Sequence, residues 1–273
     1  MSTNLVKLIN YVHYDMWQET GDPRVDSYPM LNGGPWKVLT LSCLYVLFAK
    51  YWGPKLMKGR KEWDCRRAMI VHNIILIILN GLGCVTGMLA TNMGRESWTC
   101  RKLDTNDHSF KSYLLINLGY LYFITKFIDF ADTLFFILRK KDSHITGLHV
   151  FHHAIMPLTA WVGCKFFPGG NSALTPLANT FVHTVMYAYY LCAAMGIRPE
   201  KYMHLKRRIT EIQLIQFTLV LAHSLYSLLH PNCEWPRALA IAEGLEAVTF
   251  LKLFSEFYKR TYLSHTSKAM KSM

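Results

Sequence analysis

Three histidines carry the strongest chemical signal in the chain. His149, His152 and His153 form His149-Val150-Phe151-His152-His153, inside an apolar stretch from Leu148 to about Phe167. Positions i, i+3 and i+4 share one face of a helix, so the three imidazoles stack as a cluster. At membrane depth such a cluster is costly unless it faces a cavity, a metal or itself, and intramembrane ionisable groups mark function. A neutral imidazole, with a pKa of about 6.5, can serve as nucleophile or base near neutral pH. Pro157 follows within the same helix and cannot bond the carbonyl four residues back, which belongs to His153. The cluster therefore lies beside a weakened turn with a spare backbone acceptor.

Further polar groups sit where apolar ones are expected. Lys126, Asp129, Asp132 and Thr133 fall within about a 120° arc of one helix. Lys126 and Asp129, at i and i+3, can neutralise each other, either as an internal ion pair or as part of a site. Asp132-Thr133 beside them favours a site. Downstream, Asn179, His183, Met186 and Tyr190 share a face, with Tyr187 and Tyr189 adjacent, which favours a lined cavity over a single bonded core histidine. Thr210 and Gln213 open a later apolar segment, and Gln216 one turn deeper reads as an interhelical hydrogen-bonding residue.

The elements that must position these groups are membrane helices. The chain has 273 residues, 51% of them hydrophobic, in long apolar runs parted by short charged loops. Met69 to Thr91 is the clearest run, with His72, Asn73 and Asn80 as its main polar members. At about 1.5 Å per residue it spans a hydrocarbon core roughly 30 Å thick. Seven spans are expected: Pro35–Tyr51, Met69–Thr91, Ser112–Leu138, Leu148–Phe167, Leu174–Met195, Ile209–Leu229 and Pro236–Tyr258. The fold class is thus all-α, a polytopic membrane protein. No internal repeat or low-complexity linker interrupts residues 1–273, so a single domain is expected. The stretch Met1 to Asn32 is polar and aromatic, without a basic-then-apolar leader.

Basic residues orient the bundle. The Lys50–Arg67 loop, Arg139 to Lys141, Arg198 to Arg208 and Lys259 onward hold nineteen Lys and Arg, against nine on the alternate side. The positive-inside rule then puts the C-terminus in the cytosol and the N-terminus outside or in a lumen. The net charge of +12 lies on membrane loops and not on a compact basic module, which argues against a nucleic-acid partner. The histidine cluster, Thr210 and Gln213 all come out near the cytosolic face, ringed by Lys and Arg. That setting suits an acidic, water-soluble head group with an apolar tail running down the bundle.

Together, His149-x-x-His152-His153, Lys126-x-x-Asp129-x-x-Asp132-Thr133, Asn179-x-x-x-His183-x-x-Met186-Tyr187-x-Tyr189-Tyr190 and Thr210-x-x-Gln213 resemble the ELO family of very-long-chain fatty-acid elongases. Leu148 and Phe167-Pro168-Gly169-Gly170 look closest to the branch handling saturated and monounsaturated chains. One departure is Asp129, where the family usually carries Glu; the charge is kept and the reach shortened. The resemblance implies seven helices around a narrow acyl tunnel in the endoplasmic-reticulum membrane. It also implies condensation of a long acyl-CoA with malonyl-CoA to 3-ketoacyl-CoA, CO2 and CoA. No resident cofactor or metal is implied, since the CoA thioesters are substrates. The ketoacyl-CoA reductase, the dehydratase and the enoyl-CoA reductase of the cycle are the expected protein partners, with self-association left open.

By the same resemblance His152 is the nucleophile that takes the acyl group, and His149 and His153 orient or deprotonate it. His183 binds the reacting carbonyl or malonyl group, and Asn179 and Gln213 donate to the developing oxyanion. Asp129, Asp132, Thr133, Tyr187 and Tyr190 complete the substrate-binding set, and Lys126 and Arg208 meet the CoA phosphates at the cytosolic mouth.

Other classes fit less well. A di-iron desaturase needs several histidine clusters, and His144 cannot supply the rest. A seven-span receptor would not cluster its polar motifs on the cytosolic side, and no Gly/Pro-broken repeat pair marks a transporter. A dilysine-like retention signal is imperfect, with Lys271 in place but Ala269 and Met270 beside it and Lys268 one step too far. Of seven cysteines, Cys43, Cys84, Cys164 and Cys192 lie in apolar segments. Cys100 and Cys233 both follow lumen-directed spans, in an oxidising compartment, and are expected to pair, whereas Cys65 faces the reducing cytosol.

Overall fold

A computed structural model describes residues 2–197 and 203–263. Arg198, Lys201 and the tail bearing Lys268 and Lys271 lie outside the described residues. The helices, in chain order, are α1 (Ser2–Asn10), α2 (Met16–Thr20), α3 (Trp36–Leu47), α4 (Gly53–Met57), α5 (Arg66–Ala90) and α6 (Phe110–Ile128). They continue as α7 (Phe130–Leu138), α8 (Gly147–Phe166), α9 (Leu174–Ala194), α10 (Met203–Leu229) and α11 (Arg237–Tyr258). No strand occurs among the described residues. Helices therefore cover all seven expected spans, with one difference: the third is two helices, α6 and α7, joined at Asp129.

The chain divides into two compact units, each made of two separate stretches of sequence. The first comprises Met1–Cys65 and Leu103–Ala173, the second Arg66–Lys102 and Leu174–Met273.

In the first unit α8 packs against α3 and α6. Its C-terminal end is tied to the N-terminal segment by a buried cation: Lys165 Nζ lies 2.6 Å from Asp26 Oδ1 and 3.0 Å from Gln18 Oε1. The Lys165 carbonyl accepts the Asp22 backbone N–H at 2.8 Å. A second cation, Arg24, is buried against the Asp22 carboxylate and also donates to the Asp107 carbonyl and Ser112 Oγ, both at 2.7 Å. A buried charge must find such partners, because desolvation without them costs several kcal/mol. Gly169, in the Phe167-Pro168-Gly169-Gly170 turn, has φ +110°, and a Cβ there would come 3.3 Å from Leu115 Cβ. Only glycine meets both demands.

In the second unit α5 pairs with α9, α9 with α10, and α10 with α11. Arg66 caps the C-terminus of α9 by donating to the Ala194 and Met195 carbonyls at 3.0 and 2.7 Å, where a cation also suits the helix dipole. Cys100 and Cys233 form a disulfide, with Cα atoms 5.0 Å apart. Around it Glu234 N–H donates to the Cys100 carbonyl, and Glu234 Oε2 accepts the Lys102 N–H, each at 2.9 Å.

The polarity of these helices is inverted relative to a water-soluble bundle. On α5, Val71, Ile74, Ile75, Ile78, Leu82, Val85 and Leu89 face outward, while His72, Asn73 and Asn80 are buried. On α10, Ile215, Leu219, Leu225 and Leu229 face outward over buried Gln216, His223, Ser224 and Ser227. Contiguous exposed apolar surface of this extent is what lipid tails cover. Among the described residues, Arg66–Ala90 and His204–Leu229 are long and apolar enough to cross a membrane by length and composition.

Candidate active site

Thr146 starts α8 by accepting the His149 backbone N–H on its hydroxyl at 3.2 Å. All three histidines thus fall in the first two turns, on the face that the i, i+3, i+4 spacing dictates. The His149 and His153 rings lie 4.4 Å apart, and His152 meets His153 edge-on at 5.2 Å. His153 is buried, and His149 and His152 are half-buried.

His149 is held from outside its helix. Its Nε2 lies 2.7 Å from Thr133 Oγ1 on α7, and that hydroxyl lies 2.9 Å from Tyr45 Oη on α3. Three helices thereby converge on one buried hydroxyl. Tyr45 is fixed in turn by stacking on Phe130 with centroids 4.2 Å apart, and Phe136 sets its edge against His149 at 5.5 Å. The Thr133 hydroxyl has one proton, so it donates to one neighbour and accepts from the other. Such a chain fixes the ring orientation and couples the His149 tautomer to the direction in which the hydroxyls donate.

The break at Asp129 shapes the charged end of the motif. Asp132 N–H bonds the Asp129 carbonyl three residues back, a tight turn that ends α6 and begins α7. Asp129 Oδ2 lies 3.4 Å from Lys126 Nζ, with both side chains buried. The Lys126 ammonium also sits over the Tyr122 ring, 4.4 Å from its centroid. The Lys126 ammonium is thus buried, with Asp129 and the Tyr122 ring against it. Asp132 and Thr133 are buried beside it.

In the second unit Asn179, His183 and Tyr187 are buried on one face of α9. His183 and Tyr187 rings lie 5.7 Å apart, and Tyr187 meets Tyr190 edge-on at 5.8 Å. Gln213 Nε2 comes 3.8 Å from Met186 Sδ, joining α10 to the same face. Thr210 bonds the Lys206 carbonyl and, at 3.3 Å, Tyr262 Oη. Arg208 is exposed and paired with Glu211 Oε2 at 2.8 Å on its own helix. His72 of α5 joins this cluster edge-on to Tyr187, 6.0 Å between centroids. Sequence reasoning left it out, although a His-Asn pair interrupting the most apolar run was the available signal. Tyr45 had no such signal: one tyrosine in an apolar helix is ordinary.

The profile of the GNS1/SUR4 family (ELO) matches residues 30–270. The chain belongs to the ELO family. A very long chain fatty acid elongase of Aedes aegypti is 38% identical over 94% of this chain and 71% of its own length. Very long chain fatty acid elongase 7 of Drosophila melanogaster is 37% identical over 93% of this chain and 78% of its own. Its Rattus norvegicus namesake is 38% identical over 91% and 88%. The ELO assignment accords with the inverted polarity of α5 and α10 and makes this a helical membrane protein. Within the ELO chain, the Lys126 to Thr133 motif and the histidine box lie in the first unit, and Asn179 to Tyr190 and Thr210 to Gln213 lie in the second. No group of three or more His, Cys, Asp or Glu is placed to hold a metal among the described residues.

Proposed function

We propose that this protein is a condensing enzyme of fatty-acid elongation, a 3-oxoacyl-CoA synthase that joins a long-chain acyl-CoA to malonyl-CoA. Membership of the ELO family and the elongase relatives support the activity. The observation that carries the residue assignment is the bond from His149 Nε2 to the buried Thr133 hydroxyl, itself bonded to Tyr45. It anchors the first histidine of the box to a neighbouring helix and so orients the cluster that contains His152.

His152 acts as nucleophile. Its imidazole nitrogen attacks the acyl carbonyl, the C–S bond breaks, CoA leaves as the thiolate, and an acyl-imidazole remains. One of His149 and His153 accepts the proton that His152 releases, and the other orients its ring. Malonyl-CoA then loses CO2, the enolate carbon attacks the acyl-imidazole carbonyl, and the C–N bond breaks to free His152 and 3-ketoacyl-CoA. The proton held by the neighbouring histidine returns to the departing His152 nitrogen, and the CoA thiolate takes one proton from water, so each turnover consumes one proton. Asn179, His183 and Gln213 serve the malonyl group and the developing oxyanion. Arg208, the exposed cation of the two named for CoA, meets a phosphate. The setting is a multi-pass topology with the cytosolic end of α8 open to CoA, in the endoplasmic reticulum, alongside the reductases and dehydratase of the cycle.

Incubating purified protein with acyl-CoA alone tests the intermediate. The expected result is an acyl mass shift on the peptide containing His152, lost in His152→Ala, which also loses condensation while remaining folded. Acyl label confined to a cysteine, or full activity in His152→Ala, overturns the assignment.

A further inference from the structure

The loop that follows α3 holds a feature the condensing chemistry does not use. Phe48, Trp52, Lys55, Leu56, Lys58 and Arg60 line an open groove of about 610 Å³. Its lining joins an apolar floor to three cations. None of the three is ion-paired to an acidic side chain among the described residues, whereas Lys126, Lys165, Arg24 and Arg208 all are. Lys55, Lys58 and Arg60 are exposed, as are Trp52 and Leu56. The backbone bends here through a π-helical turn, Phe48–Trp52, into α4, where Pro54 follows Gly53.

The groove is continuous in sequence with a lipid-type surface. Along α3, Leu41, Leu44 and Leu47 are exposed while Val38, Ser42 and Tyr45 are buried, so from Leu41 to Leu47 the outward face carries an aliphatic stripe. Tyr51, Trp52 and Trp63 are exposed around that point, and such aromatic rings favour the boundary between acyl chains and water. An aliphatic stripe that runs into exposed aromatic rings and unpaired cations offers the surfaces a phospholipid needs, for its tails, its ester region and its phosphate.

We propose that this groove binds an anionic glycerophospholipid, its phosphate among Lys55, Lys58 and Arg60 and its acyl chains along the exposed face of α3. Charge complementarity sets the sign of the ligand, since juxtamembrane cations attract anionic lipid and not zwitterionic lipid. The apolar floor and the adjoining stripe select a lipid over a free phosphate. The site takes no part in acyl transfer and stands whether or not His152 is the nucleophile.

Native mass spectrometry of the full-length protein in detergent tests this, with dioleoyl phosphatidic acid and dioleoyl phosphatidylcholine as probes. Phosphatidic acid should bind the wild type, and the Lys55→Gln/Lys58→Gln/Arg60→Gln triple variant should bind it at least about tenfold more weakly. Phosphatidylcholine binding should be the same in both. Trp52→Ala, which keeps every charge, should weaken phosphatidic acid binding while preserving its preference over phosphatidylcholine. Adenosine 3′,5′-bisphosphate, which carries the CoA phosphate chemistry without a tail, should not displace the lipid. Should the triple variant misfold, salt titration of the wild type still decides: raising ionic strength should release phosphatidic acid and spare phosphatidylcholine. Equal phosphatidic acid binding by wild type and triple variant, salt-insensitive binding, or displacement by the bisphosphate overturns the proposal.

Discussion

The hydroxyl of Thr133 has one proton and two partners, which makes it the most demanding position near the histidine box. In Thr133→Val the shape is kept, but both Tyr45 Oη and His149 Nε2 lose a partner in a buried setting. Leaving buried polar groups unmatched costs about 1–3 kcal/mol, and a loosened His149 ring costs activity as well. We expect kcat to fall at least about tenfold with little change in KM, because the ring is misplaced and not the substrate. Tyr45→Phe should cost less, since Thr133 can still serve His149. The double variant should resemble Thr133→Val alone in steady-state assays, the signature of residues acting as one unit. At this scale the histidines, the charged motif and Thr133 were legible from spacing, because intramembrane polar groups stand out against an apolar background. Tyr45 was not: its importance comes from a contact 88 residues distant in the chain, which helix periodicity cannot register. The i, i+3 spacing of Lys126 and Asp129 was legible as an ion pair, whereas the depth at which the pair is buried was not.

Helices α10 and α11 touch where there is almost no room. A Cβ on Gly244 would come 2.6 Å from Ser224 Oγ, and that hydroxyl already donates to the Ala240 carbonyl at 2.5 Å. Gly244→Ala should therefore destabilise the protein by roughly 1–3 kcal/mol, despite alanine's better helix propensity. Ser224→Ala in the same chain should recover part of that loss in thermal-unfolding midpoints. Ahead of α6, the Asp107 carboxylate accepts the Ser109 N–H at 2.9 Å, which lowers its pKa from the usual range. A depressed folded pKa stabilises above the ordinary carboxylate value, and the benefit is lost as pH falls through the lowered one. Asp107→Asn should accordingly weaken the acid-side fall in unfolding midpoint, with wild type and variant converging once the pH has fallen through the lowered pKa. The seven helical stretches were legible as apolar runs bounded by charged loops. The break at Asp129 was not, because its turn comes from a single i−3 bond inside an unbroken hydropathic pattern. Nor were the two short N-terminal helices, α1 and α2, in a stretch whose composition reads as polar and aromatic.

On α5 and α10 polar groups point inward and aliphatic ones outward, so the folding of these helices is tied to lipid or detergent. The disulfide adds a covalent constraint in the second unit, where Cys100 and Cys233 are separated by 133 residues. Chain entropy gives about 4–5 kcal/mol for a loop of that size, an upper figure where helices are already held in a bilayer. Cys100→Ser should lower the unfolding midpoint measurably and leave Cys233 open to alkylation, whereas the wild type should yield a Cys100–Cys233 cross-linked peptide under non-reducing conditions. The segment so enclosed runs from Arg101 to Asn232 and contains Lys126, the histidine box, His183 and Gln213. The reactive part of the chain is thus a closed ring with a tail at each end. A protease that cuts this ring once opens it without releasing a fragment, so a nicked protein keeps its full mass until a reductant is added. Limited digestion followed by activity assay should then find competent molecules that an ordinary reducing gel reports as cleaved.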